Sequence, residues 1–192
     1  MTLFKKISVM LVTMITGALI ATSAAADDSY GSALSEFQKA SATQQFFDNA
    51  YGYAVFPTVG KGGIGIGAAY GKGRVFRGGV YTGNSTLTQL SIGFQLGGQA
   101  YSEIIFFKDA EAYNKFTSGS FEFGAQASAV AINAGANAQT GTTGNSAGAG
   151  QHGGSQAAKA SYINGMAVFT AAKGGLMFEA ALAGQSFTYE QR

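Results

Sequence analysis

The chain has 192 residues, a formal net charge of +2, 11% charged residues, 29 glycines and no cysteine. Its length suits a single domain with a substantial core, and the lack of cysteine excludes disulfides, thiolate catalysis and cysteine-based metal sites. The small net charge gives only a weak long-range field, so attraction to anions must come from local clusters of Lys and Arg, and we expect no nucleic-acid partner.

Residues 1–26 have the pattern of a secretory signal peptide. Lys5 and Lys6 form a positive n-region, residues 7–21 form an apolar core, and three alanines ending at Ala26 supply the small residues that precede a cleavage site. The apolar run is shorter than the about 20 residues of a membrane-spanning helix, which favours cleavage near Ala26 over an uncleaved anchor. We therefore expect a periplasmic protein, either dissolved or peripheral on a membrane, whose mature chain is formally neutral.

The segment from Ser29 to Asn49 is predicted to be a helix. Leu34, Phe37 and Phe46 recur near helical spacing, with polar residues between them. Such a helix either covers one face of a sheet or lies on a membrane. Its polar face is not rich in Lys or Arg, as interfacial helices usually are, so the sequence favours packing on a sheet.

A glycine-rich stretch at residues 51–79 is the most distinctive part of the chain. From Gly62 to Gly71 it alternates in steps of two, which predicts a strand with glycines on one face and larger residues on the other. Each interior glycine costs roughly 0.5–1 kcal/mol of backbone entropy relative to alanine, and a glycine face usually marks close approach of another backbone or of a ligand. We predict a tightly packed, basic β-hairpin.

Four cations accompany this hairpin, and no acidic residue occurs from Asn49 to Ser102. Lys61 and Lys72 are expected at opposite ends of one strand, roughly 30–36 Å apart at about 3.3 Å per residue. Arg74 and Arg77 are expected to face opposite sides of the sheet. Lys72 with Arg74 is therefore the most compact candidate for an anion site, and the alternative is that these residues simply solvate strand ends.

Further strand-like segments follow in a meander. Alternation, turn residues and a candidate N-cap predict these elements: a turn at Gly83-Asn84-Ser85, strands at 90–96 and 102–107, a helix at Ala110–Thr117 capped by Asp109, and a strand at Phe121–Ile132.

Residues 133–158 are of low complexity and rich in Gly, Ala and Ser, so we predict a flexible loop within the domain. A last hairpin is predicted after it, with strands at Tyr162–Ala171 and Leu176–Ala183 and a turn at residues 173–175. Gln185–Tyr189 is expected to add a short strand. Residues 27–192 would then form one domain.

Several of these segments resemble a known family. Residues 53–57 (YAVFP), 59–63 (VGKGG) and 70–73 (YGKG) resemble the opening signature of the SYLF domain, and residues 173–180 (KGGLMFEA) are similar to its second signature. The SYLF domain is a phospholipid-binding module of bacterial exported proteins and of eukaryotic membrane and actin-patch proteins. The resemblance therefore implies a lipid ligand.

No arrangement of residues predicts catalysis. Gly71-Lys72 is followed by Gly73 where a phosphate-binding loop requires Ser or Thr, and His152 is the single histidine, placed in the low-complexity segment. Glu103, Glu122 and Glu179 are expected on the outward faces of strands, without an acid–base partner. Glu179 could equally pair with Lys173 across the last hairpin. We expect no enzyme activity, no metal and no cofactor.

Together these observations predict an α+β fold: a strongly curved antiparallel sheet or partly closed barrel with an N-terminal helix and one short helix packed on it. The leading hypothesis is an exported module that binds anionic phospholipid headgroups through Lys61, Lys72, Arg74 and Arg77. One alternative is a structural or protein-interaction factor of the cell envelope, which would have an envelope protein as its partner. A third is a carrier of a small hydrophobic ligand.

Overall fold

A computed structural model describes residues 28–64, 66–92, 98–124, 127, 129–132, 161–173 and 182–192. The predicted signal peptide, the low-complexity segment with His152, and most of the strand predicted at Leu176–Ala183 lie outside these residues.

The described residues form three helices and eight strands of one curled sheet. The helices are α1 (residues 28–39), α2 (Ser41–Asn49) and α3 (Ala110–Phe116). The strands are β1 (Gly52–Ile64), β2 (Ile66–Arg77), β3 (Val80–Ile92), β4 (Gly98–Phe107), β5 (Ser120–Glu122), β6 (Ala129–Ile132), β7 (Met166–Lys173) and β8 (Gln185–Gln191). They are arranged in the order β5-β8-β3-β2-β1-β4-β7-β6 and curl into a half-barrel. The predicted α+β fold with a curved sheet is confirmed, except that β6 and β7 are parallel.

The glycine-rich stretch is a hairpin, but its turn lies inside the segment predicted as one strand. β1 ends at Ile64 and β2 begins at Ile66, and Gly63 pairs with Gly67 across the turn. The prediction was wrong here because period-two alternation continues on both arms of a tight hairpin, so periodicity alone does not reveal the reversal.

The second reversal was also predicted at the wrong place. Gly83, Asn84 and Ser85 lie within β3, and the chain turns at Gly78 and Gly79, which have φ angles of 54° and 79°. Such angles strongly favour glycine and suit the tight turn between two strands. Gly83 instead makes room for a neighbour, since a Cβ there would lie 2.7 Å from Cε2 of Tyr189.

The glycines of β2 face the concave side of the half-barrel. Gly71 and Gly73 are buried there. Lys72, which lies between them, and Tyr70, which precedes them, are exposed on the convex side. A Cβ at Gly73 would lie 2.5 Å from Cε1 of the buried Phe56 ring. A close approach at the glycine face is therefore present, but at Gly73 its occupant is a core side chain and not the backbone or ligand that was expected.

Two apolar clusters lie on opposite faces of the sheet. The concave cluster joins α3 to strands on both sides of the half-barrel, with Phe107 against Phe116 and Phe116 against Phe187. On the convex side α1 and α2 cover β1, β4 and β7, where Phe46 of α2 packs edge-on against Phe169 at 5.1 Å. Because β4 is covered on both faces, every residue from Tyr101 to Phe107 is buried.

The predicted N-terminal helix is broken into α1 and α2 at Ala40. Ala40 has an extended ψ of 123°, and the hydroxyl of Thr43 donates to the carbonyl groups of Phe37 and Ala40. The backbone N–H groups of Ala40 and Thr43 donate to the same two carbonyl oxygens at 3.1 Å, so the hydroxyl adds a side-chain contact to the turn between the two helices. The break lets each short helix follow the curved sheet.

The prediction of one continuous strand at Phe121–Ile132 was also wrong. Its two ends form separate strands at opposite edges of the sheet, β5 beside β8 and β6 beside β7.

The predicted short helix and its cap are confirmed. Oδ1 of Asp109 accepts a hydrogen bond from the backbone N–H of Ala112 at 3.0 Å, and α3 ends at Phe116.

We expect Asp109→Ala to lower the free energy of unfolding by about 1 kcal/mol, because an orphan N–H at the start of α3 loses its acceptor. Urea denaturation of the full chain measures this loss, and Asp109→Ser should restore most of it. Equal stability of the alanine and serine variants would contradict a capping role.

Candidate functional site

The convex faces of β2 and β3 include positions that the helices leave open. Tyr70, Lys72, Thr88 and Leu90 are exposed there. Arg74 shares this face and is half-buried, as expected for alternate residues of one strand. The predicted pairing of Lys72 with Arg74 on one surface is therefore confirmed.

A bulge in β1 sets the neighbours of Lys72. The register of β1 is interrupted between Val55 and Thr58 on the β2 side and between Phe56 and Val59 on the β4 side. Both gaps include Pro57, the single proline, which has no N–H to give to a ladder. The extra residue shifts the alternation, so that Thr58 is exposed on the convex face directly opposite Lys72.

Lys173 reaches the same place from the other end of the chain. It is the last residue of β7, and its Nζ donates to Oγ1 of Thr58 at 3.0 Å. Thr58 therefore lies between Lys72 and Lys173. Lys173 is not one of the four predicted cations, although the second SYLF-like segment begins at this residue.

Lys61 and Arg77 do not join this surface. Lys61 pairs with the buried, concave-facing Ala69 on the neighbouring strand, so it is about 10 Å along the ladder from Lys72 and on the opposite face. The expectation that the two lysines end one strand 30–36 Å apart was wrong because the chain turns between them. Arg77 lies 5.7 Å from the ring of Tyr113 in α3, which confirms that Arg74 and Arg77 face opposite sides.

Arg74 connects the basic strand to α1. Its guanidinium lies 4.3 Å from the ring centre of Tyr30 and 5.6 Å from that of Tyr81, and Tyr30 also donates its hydroxyl to the carbonyl of Lys72 at 3.3 Å. Burial raises the pKa of the Tyr30 phenol, while the Arg74 charge opposes that rise. Arg74 therefore helps to hold α1 on the sheet as well as adding positive charge.

One carboxyl group borders the site. Glu36 of α1 accepts a hydrogen bond from the hydroxyl of Ser102 at 3.4 Å. Burial raises the pKa of Glu36, and the Ser102 hydrogen bond and the Lys173 charge oppose that rise. The negative charge of Glu36 partly offsets the positive charge of Lys173. Lys72 is therefore the less compensated of the two lysines.

Apolar side chains extend the site toward the far end of the hairpin. Tyr70 is 52% exposed and Leu90 is 80% exposed. Leu90 pairs directly with Ala68, which is two residues from Tyr70 on the same face of β2. We call the exposed set of Lys72, Lys173, Tyr70 and Leu90, with Thr58 between the lysines, the convex patch.

Glu103 lies in the opposite environment from the one expected. It is fully buried on the concave side of β4, where Nε2 of Gln185 donates to its Oε2 at 3.2 Å. Burial raises the pKa of Glu103 to about 8, and the hydrogen bond from Gln185 opposes that rise. The outward prediction failed because β4 is covered on both faces, so alternation could not indicate which face meets water.

Within the described part of the chain, no three His, Cys, Asp or Glu residues are grouped to hold a metal ion. None of the helices described there has the length and hydrophobicity that a bilayer-spanning helix requires.

The half-barrel and the convex patch define an α+β domain with one open, cation-bearing sheet face. Residues 88–192 match the family described as Las17-binding protein actin regulator (Ysc84), which is the SYLF family, and the chain belongs to it. This segment contains Lys173, Leu90 and Glu103, whereas Lys72 and the hairpin of β1 and β2 precede it. No curated protein matches the chain.

Proposed function

We propose that this protein is an exported, non-enzymatic module that binds anionic phospholipid headgroups through the convex patch. The observation that carries this proposal is the exposure of Lys72 and Lys173 around Thr58, beside exposed Tyr70 and Leu90. Membership of the SYLF family supports a lipid as the ligand, because the signatures of this chain resemble those of a phospholipid-binding module.

The chemistry of the patch suits an anionic membrane surface. Lysine ammonium groups and a threonine hydroxyl can hydrogen-bond phosphate oxygens, and each cation near an anionic leaflet contributes about 1 kcal/mol. Tyr70 has an aromatic body and a polar tip, a combination favoured at membrane interfaces. Leu90 adds apolar area that would leave water on contact with acyl chains.

The structure changes which cations enter the proposal. Of the four predicted cations, Lys72 remains in the patch, and Lys173 joins it. Arg74 lies on the same face beside the patch, where its guanidinium stacks on Tyr30. Lys61 and Arg77 face the other side of the sheet, so they are not expected to contact the same headgroups.

We expect Lys72→Glu combined with Lys173→Glu to weaken binding to phosphatidylcholine–phosphatidylglycerol vesicles roughly thirtyfold or more, since two contacts of about 1 kcal/mol are lost and repulsion is added. Co-sedimentation across a lipid titration measures the effect, and wild-type binding should fade as salt is raised. Lys108→Glu with Lys115→Glu is the matched control, because both lysines are exposed beside or on α3, which packs on the concave side, and the charge change is identical. Equal losses in the two double variants would contradict a localised site.

We expect Tyr70→Ser combined with Leu90→Ser to weaken binding to the same vesicles by a similar factor at low and at high salt. Salt screens the lysine contacts but leaves apolar contacts in place, so the free energy lost with the two apolar side chains does not depend on salt. Co-sedimentation at two salt concentrations measures both factors. Unchanged binding at both concentrations would indicate that the two side chains do not enter the membrane interface.

A protein partner is the second candidate function, since the description of the family refers to binding of Las17 and to actin regulation. Absence of wild-type retention on anionic vesicles, together with recovery of a specific envelope protein in a pull-down, would favour this function over lipid binding.

A further inference from the structure

One side chain bridges the concave space of the half-barrel. Gln185, the first residue of β8, donates from Nε2 to Oε2 of Glu103 and to the hydroxyl of Tyr101, both at 3.2 Å. Both acceptors lie on β4, which is separated from β8 in the sheet by β3, β2 and β1. This polar contact therefore connects strands that share no ladder and helps to close the curl.

The bridge is buried and incompletely hydrogen-bonded. Glu103, Gln185 and Thr170 are at most 1% exposed. Within the described residues, Oε1 of Glu103, Oε1 of Gln185 and Oγ1 of Thr170 have no hydrogen-bond partner. Thr170 is the register partner of Glu103 on β7, so the two side chains point to the same face at short range.

No positive charge compensates Glu103 among the residues that the structure describes around it. The residues that face it are Phe56 from β1, Thr170 from β7, Gln185 from β8 and Tyr101 from β4. Tyr101 is the titratable neighbour, and the Glu103 charge raises its pKa further above the ordinary range, after the larger effect of burial. Burial dominates the pKa shift of Glu103, and no described cation contributes to it.

The neutral and ionised forms of Glu103 differ in charge and in the hydrogen bonds that they can form in this buried site. The protonated carboxyl group is uncharged and can donate a hydrogen bond, which suits a site whose unpartnered atoms are oxygens. The ionised group places a charge in an apolar interior, where the Gln185 amide and the Thr170 hydroxyl are neutral donors and no described cation compensates it. Since β5 and β8 lie at one edge of the sheet, they can separate from β4 without disrupting the central strands.

We propose that Glu103 is a proton-dependent latch: its protonated carboxyl group holds β8 against β4 across the concave side, and its ionisation releases β5 and β8. Release would uncover Phe187 of β8 and the aromatic residues packed on it, among them Phe116 and Phe121. The latch is independent of the lipid-binding proposal, because its residues lie on the opposite face from the convex patch.

Carboxyl-carbon NMR of the full-length wild-type protein tests the latch directly. We expect one glutamate resonance, assigned to Glu103 by its absence from Glu103→Gln, to titrate near pH 8. Amide protection in β5 and β8 should fall, and binding of an apolar fluorescent dye should rise, over the same pH range. Glu103→Gln should keep both signals unchanged through that range, whereas Glu122→Gln, at an exposed site on β5, should behave like the wild type.

The Gln185→Met variant gives a second readout. Because the Gln185 hydrogen bond favours the ionised form, its removal should shift the Glu103 midpoint upward by roughly one pH unit, and the loss of β8 protection should shift with it. Titration of Glu103 near its ordinary range, or constant wild-type protection of β5 and β8 through its titration, would overturn the latch. If Glu103→Gln does not fold, wild-type amide protection and dye binding through the range near pH 8, and their shift in Gln185→Met, still decide the question.

Discussion

Gly73→Ala is expected to lower the free energy of unfolding by about 2 kcal/mol, although it adds a single methyl group. The new Cβ would lie 2.5 Å from Cε1 and 2.6 Å from Cδ1 of Phe56. Phe56 is fully buried and packs on Phe187 with ring centres 5.6 Å apart. The ring therefore has to move within a close-packed core, which strains its neighbours. Urea denaturation measures the loss.

Gly60→Ala is the matched control for this prediction. Gly60 lies on the adjacent strand β1, and a Cβ there would meet no heavy atom within 4 Å. Its substitution should leave stability unchanged or raise it by up to about 1 kcal/mol, because alanine restricts the unfolded chain. Comparable losses at both glycines would show that strand backbone entropy, and not the Phe56 ring, governs the effect.

A smaller side chain opposite Gly73 should reduce the penalty. Phe56→Leu alone creates space in the core and costs stability. In the double variant the leucine leaves room for the methyl group that Gly73→Ala adds, so the two single losses should sum to more than the measured loss by about 1 kcal/mol. Strict additivity would contradict direct contact between the two positions.

The second large effect concerns pH. Glu103 has a pKa of about 8 in the folded protein, against an ordinary value of 4.5. Between these values the folded state binds one more proton than the unfolded chain, so the free energy of unfolding falls as pH rises, by up to about 1.4 kcal/mol per pH unit. The stabilisation is fully present below the unfolded pKa and is lost as pH approaches the folded pKa.

We expect wild-type stability to fall by about 2 kcal/mol or more from about pH 5 to about pH 7 relative to Glu103→Gln, which cannot titrate. Urea denaturation of both proteins at several pH values gives this difference. Subtraction of the Glu103→Gln curve removes contributions from other groups, including Glu36, whose raised pKa acts in the same direction. Parallel curves for the two proteins would show that the buried carboxyl group does not bind a proton in this range.

Elements with signals in their own residues were predicted well. Asp109 begins α3 because its side chain caps the helix within three residues, and Gln185–Gln191 forms a strand close to its predicted bounds. The alternation of β2 correctly placed glycines on one face and Lys72 with Arg74 on the other. Such features depend on side chains and backbone only a few residues apart.

Elements that depend on distant partners were predicted poorly. The segment 121–132 alternates throughout, yet its ends pair with β8 and β7 at opposite edges of the sheet. The reversal near Ile64 was hidden because both arms of the hairpin have the same period. The break at Ala40 depends on how a hydroxyl three residues later meets the end of α1.

The sequence by itself determined the α+β class, the glycine-lined face of β2, the pairing of Lys72 with Arg74, and the resemblance to the SYLF family. Only the tertiary structure shows that Lys173 contacts Thr58, that Lys61 lies on the concave face, and that Glu103 of β4 is buried against Gln185 of β8. The physical reason is that side-chain direction follows from local periodicity, whereas the neighbours of a side chain follow from strand order and sheet curl. Those properties are set by the packing of the whole chain, and no short segment of sequence contains them.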